Sequence, residues 1–566
     1  MNKLTYYLPI GLCAALAAFF CWFPITDTDI FWHLAAGREI VRTGHFLYTD
    51  PFSFTNALPQ WTDIHWLFQV FVYGLYVLGG FNALIWFKLL AVAAACALLC
   101  GAVRSQRYVY ASTFVCAVLF YAARYLVCER PVLVTMVCMA AYVFLFERAR
   151  EGTNARFLWL CVPLQMIWAN SQGLYPIGIF VIGAYWAERM LFFLQKKDGR
   201  PVLVTAVLLT CAVSCAATPY GWSGLVLPFR LFAGIAPAAT SLYSLNISEN
   251  VPLLALTGYD AVYRAAVIVA ALAACALFFV NRRRVRPAHV VLFLGFLFLA
   301  YSAVRNVLLF FIVLVPIAGY GVVQLEVPAR LAALIVARKR HAASVAAACA
   351  ALLLAFPVAQ HASVAAVYPP GRPLSPFRFP EKIADYLDAH PVAGAMFNDI
   401  RYGGYLIWRL SPAKKVFADG RIMIRQPRFF ADYLAICEQP LLFPFAAAKF
   451  NITHVIVPSA VFTQYRKLVR FLYRSPDWHL EYTDGTSFLI VKNSASQRPA
   501  VDLADPTTVA AIADSMCVQW HDAPYVRAEA LGYFADELED LGLVGSAHKV
   551  KEQNFTTETQ SGRRKE

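Results

Sequence analysis

Residues 5–29 read TYYLPIGLCAALAAFFCWFPITDTD, an apolar run that ends in two aspartates. At 1.5 Å per residue, about 20 apolar residues cover a hydrocarbon core of about 30 Å. Residues 5–24 are therefore read as a membrane span that delivers Asp27 and Asp29 to its far edge. A cleaved leader would end in small residues. This exit is acidic and aromatic, so the span is expected to be retained.

Similar runs recur throughout the 566 residues. The chain is 60% hydrophobic and only 15% charged, with a mean hydropathy of +0.55. Soluble domains usually carry about 25% charged residues. This composition predicts a polytopic α-helical membrane protein. The formal charge of +14 would suggest nucleic acid only if the basic residues shared one face. They fall instead between apolar runs: Arg104/Arg107, Arg148/Arg150/Arg156, Lys196/Lys197/Arg200, 282–286 and 338–340. That is the pattern of cytoplasmic loops, and no nucleic-acid partner is expected.

With the N-terminus cytoplasmic, these loops order the spans as 5–24, 82–101, 108–127, 131–147, 157–169, 173–194, 201–217, 261–280, 288–303, 305–325 and 342–361. About 11 crossings result, with 12 or 13 as alternatives. The extra apolar stretch at 62–78 is interrupted by Gly74 and Gly79–Gly80, and is read as an interfacial helix on the outer leaflet. Mid-span positions read as overwhelmingly Ala, Leu, Val and Phe. Polar residues collect at the outer junctions: Asp27, Asp29, His33, Asp50, Asp63, His65, Arg124, Glu129, Arg130, Asn170, Gln172, Tyr220, Glu249, Arg305 and Asn306. Ionisable groups at membrane depth tend to pair or to line a hydrated cavity. An outward-facing polar site is therefore expected.

Residues 1–361, with a long outer first loop at 25–81, are read as the transmembrane domain, and a Pro-rich linker covers 362–380. Alternating helix and strand patterns at 381–495 predict a soluble α/β domain with a mostly parallel sheet, including KKVFADG as a strand and a hairpin turning at Asp484-Gly485. Residues 496–550 read as a helical extension and 551–566 as a disordered tail. Asp399, Arg401, Asp419 and Arg421 form the densest polar cluster here, and bind a ligand or make a salt-bridge network. Most of the 14 cysteines sit in apolar runs, with no pair or cluster at metal-ligand spacing. Cys437 and Cys517, alone in the polar half, leave a disulfide open.

The acidic pair Asp27-Thr28-Asp29 after the first span resembles the first-loop motif of GT-C glycosyltransferases. DTDIFWHLAAGREI (27–40), DPFSFT (50–55), IHWL (64–67), RYLVCERP (124–131), FND (397–399), YGGYLIW (402–408) and FADGR (417–421) together resemble a bacterial branch of that superfamily. The resemblance implies a GT-C-like fold and an inverting enzyme of the inner (plasma) membrane with an extracytoplasmic C-terminal domain. Such an enzyme takes a sugar from a polyprenyl phosphate and gives it to an outer lipid, polysaccharide or protein.

Transfer needs a carboxylate to take the acceptor proton and cations to hold the departing phosphate. Asp27 or Asp29 is the expected base, with Asp27 preferred, and Arg124, Arg130 and Arg305 are the expected phosphate clamp. Asn170, Gln172, Tyr220, Glu249 and Asn306 either contact sugar or satisfy helix ends. His33 and His65 either bind metal or hydrogen-bond locally. Asp29 equally suits a helix N-cap, Asp50-Pro51 a turn, and Arg130 a neutraliser of Glu129. GT-C enzymes differ over metal, so a Mg or Mn ion held by Asp27, Asp29 and Glu129 is left open. The competing classes are a transporter or flippase and a non-catalytic envelope scaffold.

Overall fold

The computed structural model describes residues 3–562, apart from 57–59, 152–154, 197–200, 236–245, 327–350, 352–354, 356, 366, 370, 422–423, 426 and 460. The chain divides into two compact units, Met1–Phe23 with Thr62–Ser363, and Pro24–Trp61 with Val364–Glu566. The loop 24–61, assigned by sequence to the transmembrane domain, thus folds with the C-terminal half.

In the first unit, seven helices among the described residues are long and apolar enough to cross a membrane. They are Lys3–Phe20, Trp66–Cys100, Gln106–Leu126, Val132–Arg150, Pro176–Leu194, Gly258–Val280 and Val304–Gln324. Three shorter apolar helices, Ala155–Ala169, Pro201–Ser214 and Pro287–Ser302, occupy the positions of further expected spans. Most of the span expected at 342–361 lies outside the described residues. Trp66–Cys100 loses helical geometry only at Gly79 and Gly80, the latter at φ 60°, while Gly74 stays helical. The helix Val307–Gln324 is buried nearly all round, as an evenly apolar helix must be. It packs on Gln106–Ala123, Pro287–Ser302 and Ala261–Val280. Between 217 and 261, where no element was expected, Gly221–Ile235 is helical with Trp222, Phe229 and Phe232 exposed.

Mid-span positions are less uniformly apolar than the sequence suggests. Lys88, a lone charge in Trp66–Cys100, is 2% exposed and ion-paired with Glu129 at 2.7 Å. Towards the helix ends, Arg286, just before Pro287–Ser302, bonds Glu147 at 2.5 Å and Glu188 at 2.7 Å, and His289 lies 3.2 Å from Glu147. A buried charge is tolerated when paired. Pairs contributed by distant helices are invisible to a linear reading.

The second unit centres on a four-stranded sheet of β1 (Ala395–Asn398), β2 (Ile452–Pro458), β3 (Trp478–Thr483) and β4 (Ser487–Lys492), in the order β1-β2-β4-β3. Only β1 and β2 are parallel; β2–β4 and β3–β4 are antiparallel. The sheet is therefore mixed rather than mostly parallel. The reason is the hairpin: Gly485 sits at φ 82° and Asp484 Oδ1 accepts from the Thr486 and Ser487 amides, which reverses the chain directly.

KKVFADG forms no strand, because its backbone bonds elsewhere. The Val416 amide donates to Phe52 O at 2.9 Å, and the Phe417 amide donates to Asn398 Oδ1 at 2.8 Å. The helices Glu381–Ala389, Ile400–Leu410, Pro427–Glu438 and Arg466–Tyr473 fall where expected.

Pro506–Gln519, Pro524–Leu541 and Val544–Gly562 make up the helical extension, and Met516, Leu531, Phe534 and Leu538 enter the sheet's hydrophobic core. The last helix runs on through Gly562 rather than ending at 550. Its polar residues find partners: Gln553 donates to Asp514 and Asn554 to the Ala528 carbonyl. Cys437 and Cys517 are both free thiols.

Candidate functional site

The DTD motif lies in the second unit. Asp29 opens the helix Asp29–Thr43, and Asp27 Oδ1 accepts the Asp29 amide at 3.0 Å. Asp27, not Asp29, thus satisfies one of the open amides of that helix start, where the dipole favours a carboxylate. Asp27 is 4% exposed. His33, one turn into the helix, is buried with its ring 3.6 Å from Trp32. The helix packs on Ile400–Leu410. Phe31 meets Tyr405 and Phe379, and Arg38 lies over Trp408 at 4.5 Å.

Two glycines make this approach possible. A Cβ at Gly404 would come within 2.5 Å of the Thr28 carbonyl oxygen, and one at Gly420 would overlap Asp29 Oδ1. The YGGY and FADGR segments are therefore the wall against which the DTD turn sits. Asn398 holds that wall, accepting the Phe417 amide and donating to the Ala418 carbonyl at 2.7 Å. Asp399 caps Ile400–Leu410 by accepting from the Arg401 and Tyr402 amides, and pairs with Arg401 at 2.8 Å.

Beside the wall is a buried ion cluster. Arg421 donates from Nε and Nη2 to Asp419 at 2.8 and 3.0 Å, and from Nη1 to Asp50 at 2.9 Å. Arg425 adds a bond to Asp419 at 3.2 Å. Burial alone would raise the Asp419 carboxyl, but Arg421 and Arg425 outweigh it and hold the group at about 2. Asp50 also accepts from the Phe52 amide and Ser53 Oγ, closing a turn at 50–53. The polar residues are thus two sets of ion pairs: Asp399–Arg401 is local to a helix start, while Asp419 and Arg421 bind the first-loop segment to the soluble domain through Asp50. Arg425 and Asn398 complete the cluster and were not singled out by sequence. The four-residue spacing of the two arginines in DGRIMIR was the available signal.

The first unit holds the remaining candidates, in three groups. Asp63 accepts from Gln69 at 2.8 Å and from the His65 amide. His65 Nε2 lies 3.3 Å from Gln172 Oε1, and Trp66 Nε1 donates to Asn170 Oδ1 at 2.8 Å. Burial pushes the His65 imidazole down to about 4, so it is neutral at pH 7. These contacts join residues 62–67 to the 170–173 turn.

The second group is Lys88–Glu129. Arg130 pairs with Glu249, and Arg305 approaches the same carboxylate at 3.9 Å. Burial would raise Glu249, but the two guanidiniums bring it below the usual range. Two cations thus face one anion, and the Val304 amide bond to Val251 O brings these segments together. Arg124 forms no part of that pair. It donates to Tyr121 O and lies over the Tyr121 and Tyr125 rings at 4.0 and 4.4 Å. Tyr220 is buried, and Asn306 donates to Leu299 O.

The third feature follows Glu249 in the chain. A cavity of about 480 Å³ with an almost wholly apolar lining opens between Ala261–Val280 and Pro287–Ser302. Leu253, Val267, Leu272, Leu294, Phe298 and Tyr301 line it.

For a divalent cation the residues are poorly matched. Glu129 is engaged by Lys88, and among the described residues no three carboxylate or imidazole ligand atoms converge at Asp27 or Asp29. No step is therefore routed through such an ion.

The sequence matches no known family profile and no curated protein sequence. Solved structures do match. The archaeal oligosaccharyltransferase AglB from Archaeoglobus fulgidus, in complex with an inhibitory peptide and a dolichol-phosphate, superposes with a TM-score of 0.55 at 11% identity. That match covers 94% of this chain and 86% of AglB. An oligosaccharyltransferase of the same organism in the apo form gives 0.50 at 12% identity, over 82% and 71% of the two chains. At such identities the likeness speaks to fold. The chain is a membrane protein with a GT-C-like, oligosaccharyltransferase-like fold.

Proposed function

We propose that the protein is an inverting GT-C-type glycosyltransferase of the inner membrane, moving a sugar from a polyprenyl phosphate to an extracytoplasmic acceptor. The observation that carries the reading is the DTD turn. Asp27 is buried beside a helix start, and the turn that carries it lies close against two glycines, Gly404 at the Thr28 carbonyl and Gly420 at the Asp29 carboxylate. Preorganisation of this kind suits a residue that must meet a reacting atom within a fraction of an ångström.

In the second unit, Asp27 takes the proton of the acceptor hydroxyl or amide. The acceptor atom attacks the anomeric carbon, and the bond from that carbon to the phosphate oxygen breaks. Polyprenyl phosphate leaves with the electron pair. The Asp29 amide, bonded to Asp27 Oδ1, fixes the carboxylate's orientation. In the first unit, taken by itself, Arg130 and Arg305 against Glu249 leave one positive charge, which suits a phosphate. The apolar cavity starting four residues after Glu249 is assigned to the isoprenoid tail. Support comes from AglB, the structural neighbour, which is in complex with a dolichol-phosphate.

The test is mass spectrometry of glycolipids and surface glycans from cells with and without the protein. A residue of defined mass should vanish, return with the parent chain, and fail to return with Asp27→Asn. Identical glycans in both strains would reject the reading.

A further inference from the structure

Four cysteines that are far apart in sequence meet inside the first unit. Cys13 comes from Lys3–Phe20, Cys96 and Cys100 from successive turns at the end of Trp66–Cys100, and Cys116 from Gln106–Ala123. All four are 5% exposed or less. The sulfurs of Cys13, Cys100 and Cys116 lie within 4.8 Å of one another. Cys96 contacts both Cys13 and Cys116. Metal–thiolate bonds of about 2.3 Å place three ligand sulfurs roughly 4 Å apart, so a small contraction of this triangle encloses an ion.

From this convergence we propose that Cys13, Cys100 and Cys116 bind one Cu(I) ion, with Cys96 as a reserve ligand. Soft thiolates select Cu(I), Zn(II) or iron–sulfur clusters, and charge decides among them. Zinc in a closed four-thiolate site carries two net negative charges, which an apolar helix interior does not tolerate. Cu(I) accepts two or three sulfurs. With two thiolates and one neutral thiol it carries a single negative charge. Arg148 donates to the carbonyl of Gly101, the residue after Cys100, at 2.5 Å, and shares its charge with Glu151 at 3.6 Å. On binding, two S–H bonds break and two protons leave to solvent, while three Cu–S bonds form, two from thiolates and one from the neutral thiol. Copper stays in the +1 state.

The test uses the full chain in detergent under anaerobic, reducing conditions, loaded with Cu(I) against a competing bathocuproine chelator. Elemental analysis should find one copper per chain, with a thiolate-to-copper band in the ultraviolet. Cys13→Ser/Cys100→Ser/Cys116→Ser should weaken retention at least tenfold, while Cys275→Ser, at an exposed cysteine, should leave it unchanged. Single Cys116→Ser chains that elute like the parent should also lose affinity, which guards against misfolding of the triple variant. No stoichiometric copper on the parent, equal retention by the triple variant, or preferential retention of Zn(II) would each overturn the proposal.

Discussion

Arg421 is the residue whose removal should be felt most sharply in the second unit. Its guanidinium makes three hydrogen bonds to Asp419 and Asp50, and all three residues are buried. Arg421→Gln leaves two carboxylates short of their counter-charge, and breaking a buried pair in this way costs about 3–5 kcal/mol. The unit holds roughly 240 residues, and a domain of that size loses about 2–4 °C of Tm per kcal/mol. A fall of roughly 6–20 °C is therefore expected. Trp61 and Trp32 lie 4.7 and 5.9 Å from the guanidinium, so tryptophan emission of the detergent-solubilised chain reports the transition.

A cycle with Asp50→Asn isolates the link between the first-loop segment and the soluble domain. Coupled contacts deviate from additivity by about 0.5–3 kcal/mol. Additive losses, or a Tm within 2 °C of the parent for Arg421→Gln, would refute the claim that this cluster holds residues 24–61 in place.

Other outcomes follow from the same geometry. Asp27→Asn should keep the parent Tm within a few degrees and lower transfer by about 10²–10⁴, the usual weight of a general base. Arg305→Gln should weaken donor binding about 10- to 150-fold, the worth of one charge-assisted hydrogen bond, as read from the KM for the lipid donor. Gly404→Ala should destabilise the second unit by about 1–3 kcal/mol through overlap with the Thr28 backbone carbonyl, seen as a lower Tm.

Two carboxyls make stability depend on pH in opposite ways. Asp419 sits at about 2, below its unfolded value, so its contribution is complete above pH 4 and lost as pH falls from about 4 towards 2. An acid melting series should show that loss, and Asp419→Asn should remove it. Burial pushes Glu537 up to about 8, so its cost is absent near pH 4, grows as pH rises from about 4 towards 8, and is complete above that. Glu537→Gln should accordingly raise Tm at pH 8 and leave it unchanged at pH 4.

How far the sequence could be read depended on whether the relevant physics is local. Hydropathy is local, so the apolar helices appear near their expected places, and two adjacent glycines break Trp66–Cys100 as their backbone freedom allows. Turn chemistry is local too, and Asp484-Gly485 turns the chain as read. Pairing across the chain is not. Nothing near Lys88 announces Glu129, and nothing near Arg130 announces Glu249. FADGR has strand-like composition, yet Asn398 and Phe52 claim its backbone groups before a sheet neighbour can. The cysteine convergence was missed for the same reason, although Cys96 and Cys100, four apart on one helix face, were a partial signal. At the candidate site, the DTD and DGR segments stood out in the sequence by their charge. Their juxtaposition through Gly404 and Gly420 did not, because it needs residues separated by almost 400 positions.

That separation sets a timetable for biosynthesis. Residues 24–61 leave the ribosome some 360 residues before Arg421 does. At about 5–20 residues per second, the interval is roughly 20–70 s. Throughout it Phe31 lacks Phe379 and Tyr405, and Trp32 and Trp61 lack Arg421, so the nascent segment must be shielded by the insertion machinery or by chaperones. A nonsense mutation between the DTD turn and the soluble half would therefore strand that turn without its later partners.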